Sequence, residues 1–318
     1  MNELGEKDNG SAINPVQEAD QSGYYIKGQK ALYSKKPGEI AEKIAQGLDI
    51  EIEFHGDVIE ELKKCVAYQN DEERTARIKN VFSISLNELY GSVRNEDFQE
   101  NIQKTKELVD CLIEQYKESF YLLFTVDHEP STILHSINVM VLALHVYQYI
   151  ENNFPEYLSM GSMQEFGLAA LLHDTGKVYI EDIIKKTEKL TDSDWERIKK
   201  HPKDGNDLLK KAGVNSEKIL NAALYHHRRF NKTGYPEIIE GDEVLPLTYL
   251  IGVIDSIEAI ISKSRIHNAN REPINMEKAF GILWEDMRSR GSILYPINMY
   301  QLAMAALTQE GKGVFGQS

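Results

Sequence analysis

From residue 56 to about 120, apolar side chains recur at intervals of three and four, through DVIEELKKCVAYQ, ERTARIKNVFSISLNELYGSV and FQENIQKTKELVDCLIEQYKESF. That period draws one apolar stripe along each helix, and such a stripe is buried by packing against another element. The pattern stays helical after 120, in GLAALLH, TDSDWERIKK and ILNAALY. The expected fold class is therefore mainly α, with an all-α C-terminal domain. Ahead of residue 56 the pattern changes. GYYIKGQKALYSKKPGE (23–39) and LDIEIEF (48–54) alternate apolar with polar residues around a helical IAEKIAQG, which predicts a small α/β cap. Residues 1–21 are acidic and amide-rich with no apolar spacing, and read as a flexible tail. The chain thus divides into a tail (1–21), an N-terminal region (22–120) and a C-terminal domain (121–318).

Composition excludes several classes. The stretch INVMVLALHVY (137–147), interrupted by Asn138 and His145, falls short of the roughly 20 apolar residues that span a bilayer, so no membrane insertion is expected. The N-terminus has neither a basic segment nor an apolar one ahead of a cleavage site, which predicts a cytoplasmic protein. Cys65 and Cys111 are the only two cysteines and form neither a disulfide framework nor a thiolate metal knuckle. A net charge of −14 repels a nucleic acid polymer from most of the surface. An anionic ligand must then be drawn in locally, by metal ions or clustered lysine and arginine.

Of nine histidines, six lie between 135 and 227, close in sequence to Asp174 and Asp255. Neighbouring residues on a helix point about 100° apart, so His173 and Asp174 in LLHDTGK can face one ion only beside a helix end. Gly176 supplies such a break. His226 and His227 repeat the arrangement after ILNAALY, and His135, His201 and Asp255 complete the set. Imidazole and carboxylate without thiolate suit iron, manganese or another first-row divalent ion. Seven candidates exceed one tetrahedral site, whereas two ions sharing Asp174 would use them all, a common arrangement for phosphoester hydrolysis. His55, His128, His145 and His267 read as structural histidines.

The order HSINV, LLHDTGK, LTDSDWERIKKHPKDG, LYHHRRFNKTGYP, IGVIDSIEAI resembles the HD-GYP family, a subgroup of the HD metal-dependent phosphohydrolases. The resemblance implies an HD-type helical domain preceded by a regulatory or dimer-forming module. It also implies hydrolysis of cyclic di-GMP to pGpG, and onward to GMP in many members. Carried over by position, it makes His135, His173, Asp174 and Asp255 ligands of one metal and His201, His226 and His227 ligands of the other, with Asp174 as the bridge. Two divalent ions, iron or manganese, would activate the attacking hydroxide, and Lys177 would meet the scissile phosphate. Some members add a third ion through a glutamate four residues before the first histidine; Ser131 stands there, so two are expected. The resemblance further admits a homodimer and a diguanylate cyclase (GGDEF) partner at the GYP loop.

Gly234, Tyr235 and Pro236 keep the family turn, and Tyr235 can offer a face or hydroxyl to a guanine or ribose. The residues between differ. The family has glutamate after the histidine pair and aspartate-glycine before the turn, where this chain has Arg228, Asn231 and Lys232. With Arg229, these make the loop basic, and Arg228, Arg229, Lys232 and Arg265 join Tyr235 and Lys177 as expected substrate contacts. Lysine in place of glycine also challenges the loop conformation. The family arginine nine residues after Asp255 is Ser264 here, with Arg265 next. Two alternatives follow from these departures: a metal-holding receptor or scaffold with feeble catalysis, and an HD hydrolase for another cyclic dinucleotide such as cyclic GMP-AMP.

Overall fold

A computed structural model of the chain describes residues 57–68, 71–117, 120–124, 131–186, 188–262, 274–289 and 293–309. The tail, the α/β cap, His55, His128, His267 and Arg265 lie outside the described residues. The chain divides into two units, Met1–Asp57 and Val58–Ser318, and the following concerns the second.

Its regular structure among the described residues is helical: α1 (Val58–Cys65), α2 (Asp71–Gly91), α3 (Phe98–Tyr116), α4 (Thr132–Asn153), α5 (Met163–Leu172), α6 (Glu181–Ile184), α7 (Asp192–Ile198), α8 (His201–Lys211), α9 (Glu217–Tyr225), α10 (Pro246–Ile261), α11 (Met276–Ser289) and α12 (Ile297–Gln309). The mainly α expectation holds. α1, α2 and α3 pack on one another, α2 also meets α4, and α3 meets α5.

The centre of the unit is α4, which contacts α2, α5, α10 and α12. A helix with neighbours on so many sides is apolar all round rather than along one stripe. The helix has 22 residues and contains an 18-residue window of mean hydropathy 1.4, enough by length and composition to cross a membrane, yet 78% of that window is buried inside the protein. Asn138 and His145, which cut the apolar run in the sequence, are both buried in it.

Local chemistry sets the helix ends that matter for the site. Ser131 caps α4, its hydroxyl accepting from the Leu134 amide. Ser162 with Glu165 and Thr191 with Asp194 form capping boxes at α5 and α7. The sequence places Pro202 as the stop of the helix containing Trp195. Instead α7 ends at Ile198, and Pro202 sits in the first turn of α8, which His201 begins. Proline is tolerated there because the first-turn amides have no intrahelical acceptor. Gly205 lies inside that helix.

Candidate metal centre

Helix ends converge to build the site. His135 lies in the first turn of α4, while His173 and Asp174 follow α5 directly and lead into a 3-10 turn, Thr175–Tyr179. His201 starts α8, His226 and His227 follow α9, and Asp255 lies within α10. The chain reverses tightly after Asp174 because Gly176 has no side chain. A Cβ there would stand 2.0 Å from the His201 carbonyl oxygen and 2.5 Å from the Gly205 nitrogen. The two glycines let the turn rest on the start of α8, which brings Asp174 to His201.

The potential ligand atoms fall into two groups, each within 4.8 Å: His135, His173 and Asp255, and Asp174, His201, His226 and His227. Asp174 faces both. Its Oδ2 is 3.2 Å from His173 Nε2 and 3.6 Å from His135 Nε2, while its Oδ1 is 3.2 Å from His201 Nε2 and 3.5 Å from His226 Nε2. His135 Nε2 also lies 3.2 Å from Asp255 Oδ1. His145, ten residues along α4, is buried and belongs to neither group.

The outer nitrogens fix which atom each ring turns inward. Nδ1 of His173, His201 and His226 lies 2.6, 2.7 and 3.0 Å from the carbonyls of Ala170, Ile198 and Ala222. Donation to those carbonyls keeps the proton on Nδ1 and leaves the Nε2 lone pair toward the cluster. His201 Nε2 and His226 Nε2 then face each other at 3.3 Å, an arrangement that suits a shared cation. His135 Nε2, His173 Nε2 and Asp174 Oδ1 are buried without a hydrogen bond. Orphaned inward polar atoms, two carboxylates and no thiolate fit divalent metal ions.

Electrostatics favours neutral, metal-ready rings at His226 and His227 and a protonated ring at His135. Burial pulls His226 down to about 4 and His227 well below the ordinary imidazole value, so both rings are neutral donors at pH 7. Burial opposes the charge on Asp174 and Asp255, yet the surrounding histidines hold both carboxyls well below the usual range, with Lys177 adding to the effect at Asp174. At His135, burial is outweighed by the Glu258 and Asp255 carboxylates, which raise the ring to about 9.

Glu258 is the residue that motif reading misses. It is fully buried one turn after Asp255, 2.5 Å from His135 Nδ1, and accepts from Asn138 Nδ2 at 3.0 Å. The signal was present, since a carboxylate three positions from Asp255 in an apolar helix shares its face.

A cleft of about 270 Å³ opens beside the cluster, lined by His135, His201, His227, Lys177 and Tyr235 among others. Lys177 is one-fifth exposed and bonds Asp174 Oδ2. The Tyr235 ring lies 4.7 Å from that of His227. Trp195, exposed on α7, also lines the cleft and was not singled out from sequence.

Arg228, Arg229 and Lys232 are not among the residues that line this cleft. Arg228 bridges Gly234 and directs its guanidinium at the carbonyls of Gly234 and Pro236, at 3.3 and 3.5 Å. Arg229 stacks over the Tyr295 ring, 4.6 Å from its centroid. Lys232 is exposed and takes φ +66, the left-handed conformation that glycine would favour. Asn231 supports the turn by accepting from the Thr233 amide and hydroxyl, at 3.1 and 2.6 Å. The glycine-type loop shape is thus kept without the glycine.

Among the described residues the fold is helical and encloses a two-part histidine and aspartate centre whose atoms could hold metal ions. Residues 132–262 match the HD domain. The chain is 33% identical over 132 residues to the cyclic di-GMP phosphodiesterase PA4108 of Pseudomonas aeruginosa, covering 41% of this chain and 30% of that protein. It is 29% identical over 122 residues to 3'3'-cGAMP-specific phosphodiesterase 3 of Vibrio cholerae, covering 38% and 25%. The chain therefore spans less than a third of either relative. The solved structure of Bd1817, an HDG"Y"P protein from Bdellovibrio bacteriovorus, superposes with a TM-score of 0.63 over 89% of this chain and 93% of that one, at 16% identity. That likeness is one of fold.

Proposed function

We propose that the chain is a metal-dependent phosphodiesterase that hydrolyses cyclic di-GMP to pGpG, and onward to GMP. The observation that carries the reading is Asp174, whose two oxygens face two separate groups of ligand atoms. His135, His173 and Asp255 would hold one ion, His201, His226 and His227 the other, with Asp174 shared and iron or manganese as the metals. Held there, the ions would supply Lewis acidity toward phosphoryl oxygens and acidify water. Lys177 places a cation at the edge of the cleft, where charge gathers on the non-bridging oxygens of an attacked phosphodiester. Tyr235 presents an aromatic face beside His227 for a base or ribose. Arg228 and Arg229 hold the loop, and Lys232 flanks it from solvent.

The N-terminal region 22–120 is proposed as regulatory or dimer-forming, and the exposed GYP loop as the docking point for a GGDEF partner. Protein loaded with iron or manganese should convert cyclic di-GMP to pGpG, followed by chromatography of the products. Full metal occupancy with no turnover would sink the hydrolase, and tight binding without turnover would favour the receptor reading. The relative named for 3'3'-cGAMP motivates a second substrate, cyclic GMP-AMP, and comparing kcat/KM for the two dinucleotides decides between them.

A further inference from the structure

The metal-side cleft is small for the proposed substrate. Pockets that enclose drug-sized ligands run from about 300 to 1,000 Å³, and this one measures about 270 Å³. A ring of two nucleotides that sets one phosphate at the metals must place its other half elsewhere. A second cavity of about 590 Å³ adjoins the first, and the two share Ser131, Thr132, Lys177 and Ile184 as lining. Its far wall is the last turn of α2, formed by Asn87, Tyr90 and Gly91.

The chemistry of this cavity suits half a dinucleotide. Its rim carries two ammonium groups, Lys185 paired with Glu181 at 3.2 Å and Lys177 paired with Asp174. Hydroxyls come from Ser131 and Thr132. Asn87 commits its Nδ2 to the Ser83 carbonyl at 2.8 Å, which leaves Oδ1 as the atom it offers to a ligand. An amide acceptor matches the ring N–H and exocyclic amine that guanine presents on one edge.

We infer that this second cavity is the subsite for the distal nucleotide of a cyclic dinucleotide, with Asn87 as a specificity-determining residue contributed by the N-terminal helices. The inference rests on the proposed phosphodiesterase reading. It assigns α2 a direct part in substrate recognition.

The test uses the full metal-loaded chain, with cyclic di-GMP and GMP as probes in calorimetric titrations. Gly91 lines the cavity, and a Cβ built on it meets nothing within 4 Å, so Gly91→Phe starts a bulky side chain at the cavity wall without a clash at its first atom. Gly91→Phe should weaken cyclic di-GMP binding by about tenfold or more, since a clash at half of the ligand outweighs the remaining contacts. It should leave GMP, which needs only the metal side, unchanged. Asn87→Ala, which cannot block the cavity, should weaken the dinucleotide by about three- to tenfold, the worth of one hydrogen bond. Unchanged dinucleotide affinity in both variants overturns the subsite, as does equal weakening of both probes. Turnover of cyclic di-GMP by the wild type is scored separately. Its absence alongside binding retires the hydrolase reading, while the affinity comparison still decides the subsite.

Discussion

At the scale of single residues, the site depends on groups that stand behind the ligand atoms as much as on the ligand atoms themselves. Glu258 holds His135 through Nδ1, and Asn138 holds Glu258. Outer partners of this kind set ring orientation and ligand basicity, and their loss typically costs about 10- to 100-fold in metal affinity or activity. Glu258→Gln should therefore weaken metal binding within that range while leaving the far-ultraviolet circular dichroism unchanged. Metal titration with an indicator dye measures it, and wild-type affinity in the variant would remove Glu258 from the site. Gly176 is decided by space alone. Gly176→Ala sets a methyl against backbone atoms that cannot rotate away, so a cost of at least about 3 kcal/mol is expected, the upper end for overpacking. An unchanged urea midpoint would show that the turn and α8 slide apart freely.

At the scale of elements, the helix ends fix where the histidines arrive. α7 begins at a capping box in which Thr191 and Asp194 satisfy each other's backbone, and Lys186 pairs with Asp194 at 2.7 Å. The Lys186 ammonium, then the Thr191 amide and hydroxyl, hold the Asp194 carboxyl down at about 2 from its ordinary 3.8. A carboxyl lowered by folding stabilises fully above its unfolded value and loses that contribution as the proton returns. The advantage of wild type over Asp194→Asn in thermal midpoint should thus be constant above about pH 4 and shrink between about pH 4 and 2, the interval set by these two values. A gap that does not change across that interval would mean Asp194 is not held by these partners. The same box was legible in TDSD, because the spacing of Thr and Asp is local chemistry. The start of α8 at His201 was misjudged, because proline stops a helix or opens one according to where the preceding turn ends.

At the scale of the whole molecule, α4 joins the N-terminal helices to the metal centre. It carries His135 and packs against both α2 and α10, so the centre and α1–α3 share one compact unit. Ions bound to the folded state alone add stability by mass action, about 4 kcal/mol at a thousandfold excess over Kd. Chelation should accordingly lower the thermal midpoint of the entire unit in a single transition. A change confined to one probe, or none, would detach the cluster from global stability. By itself the sequence determined the helical class, through its 3.6-residue period, and the identity of the clustered histidines and aspartates, through their order around HD and GYP. Both are local properties, carried by spacing that any reader of the chain can count. Only the tertiary structure decided that Asp174 turns one oxygen to each group and that Arg228 and Arg229 face their own loop and Tyr295. It also decided that Glu258 stands behind His135, and that α2 walls a cavity next to Lys177. Those outcomes depend on which helices meet and how closely two glycine backbones can cross, distances that no run of residues encodes alone.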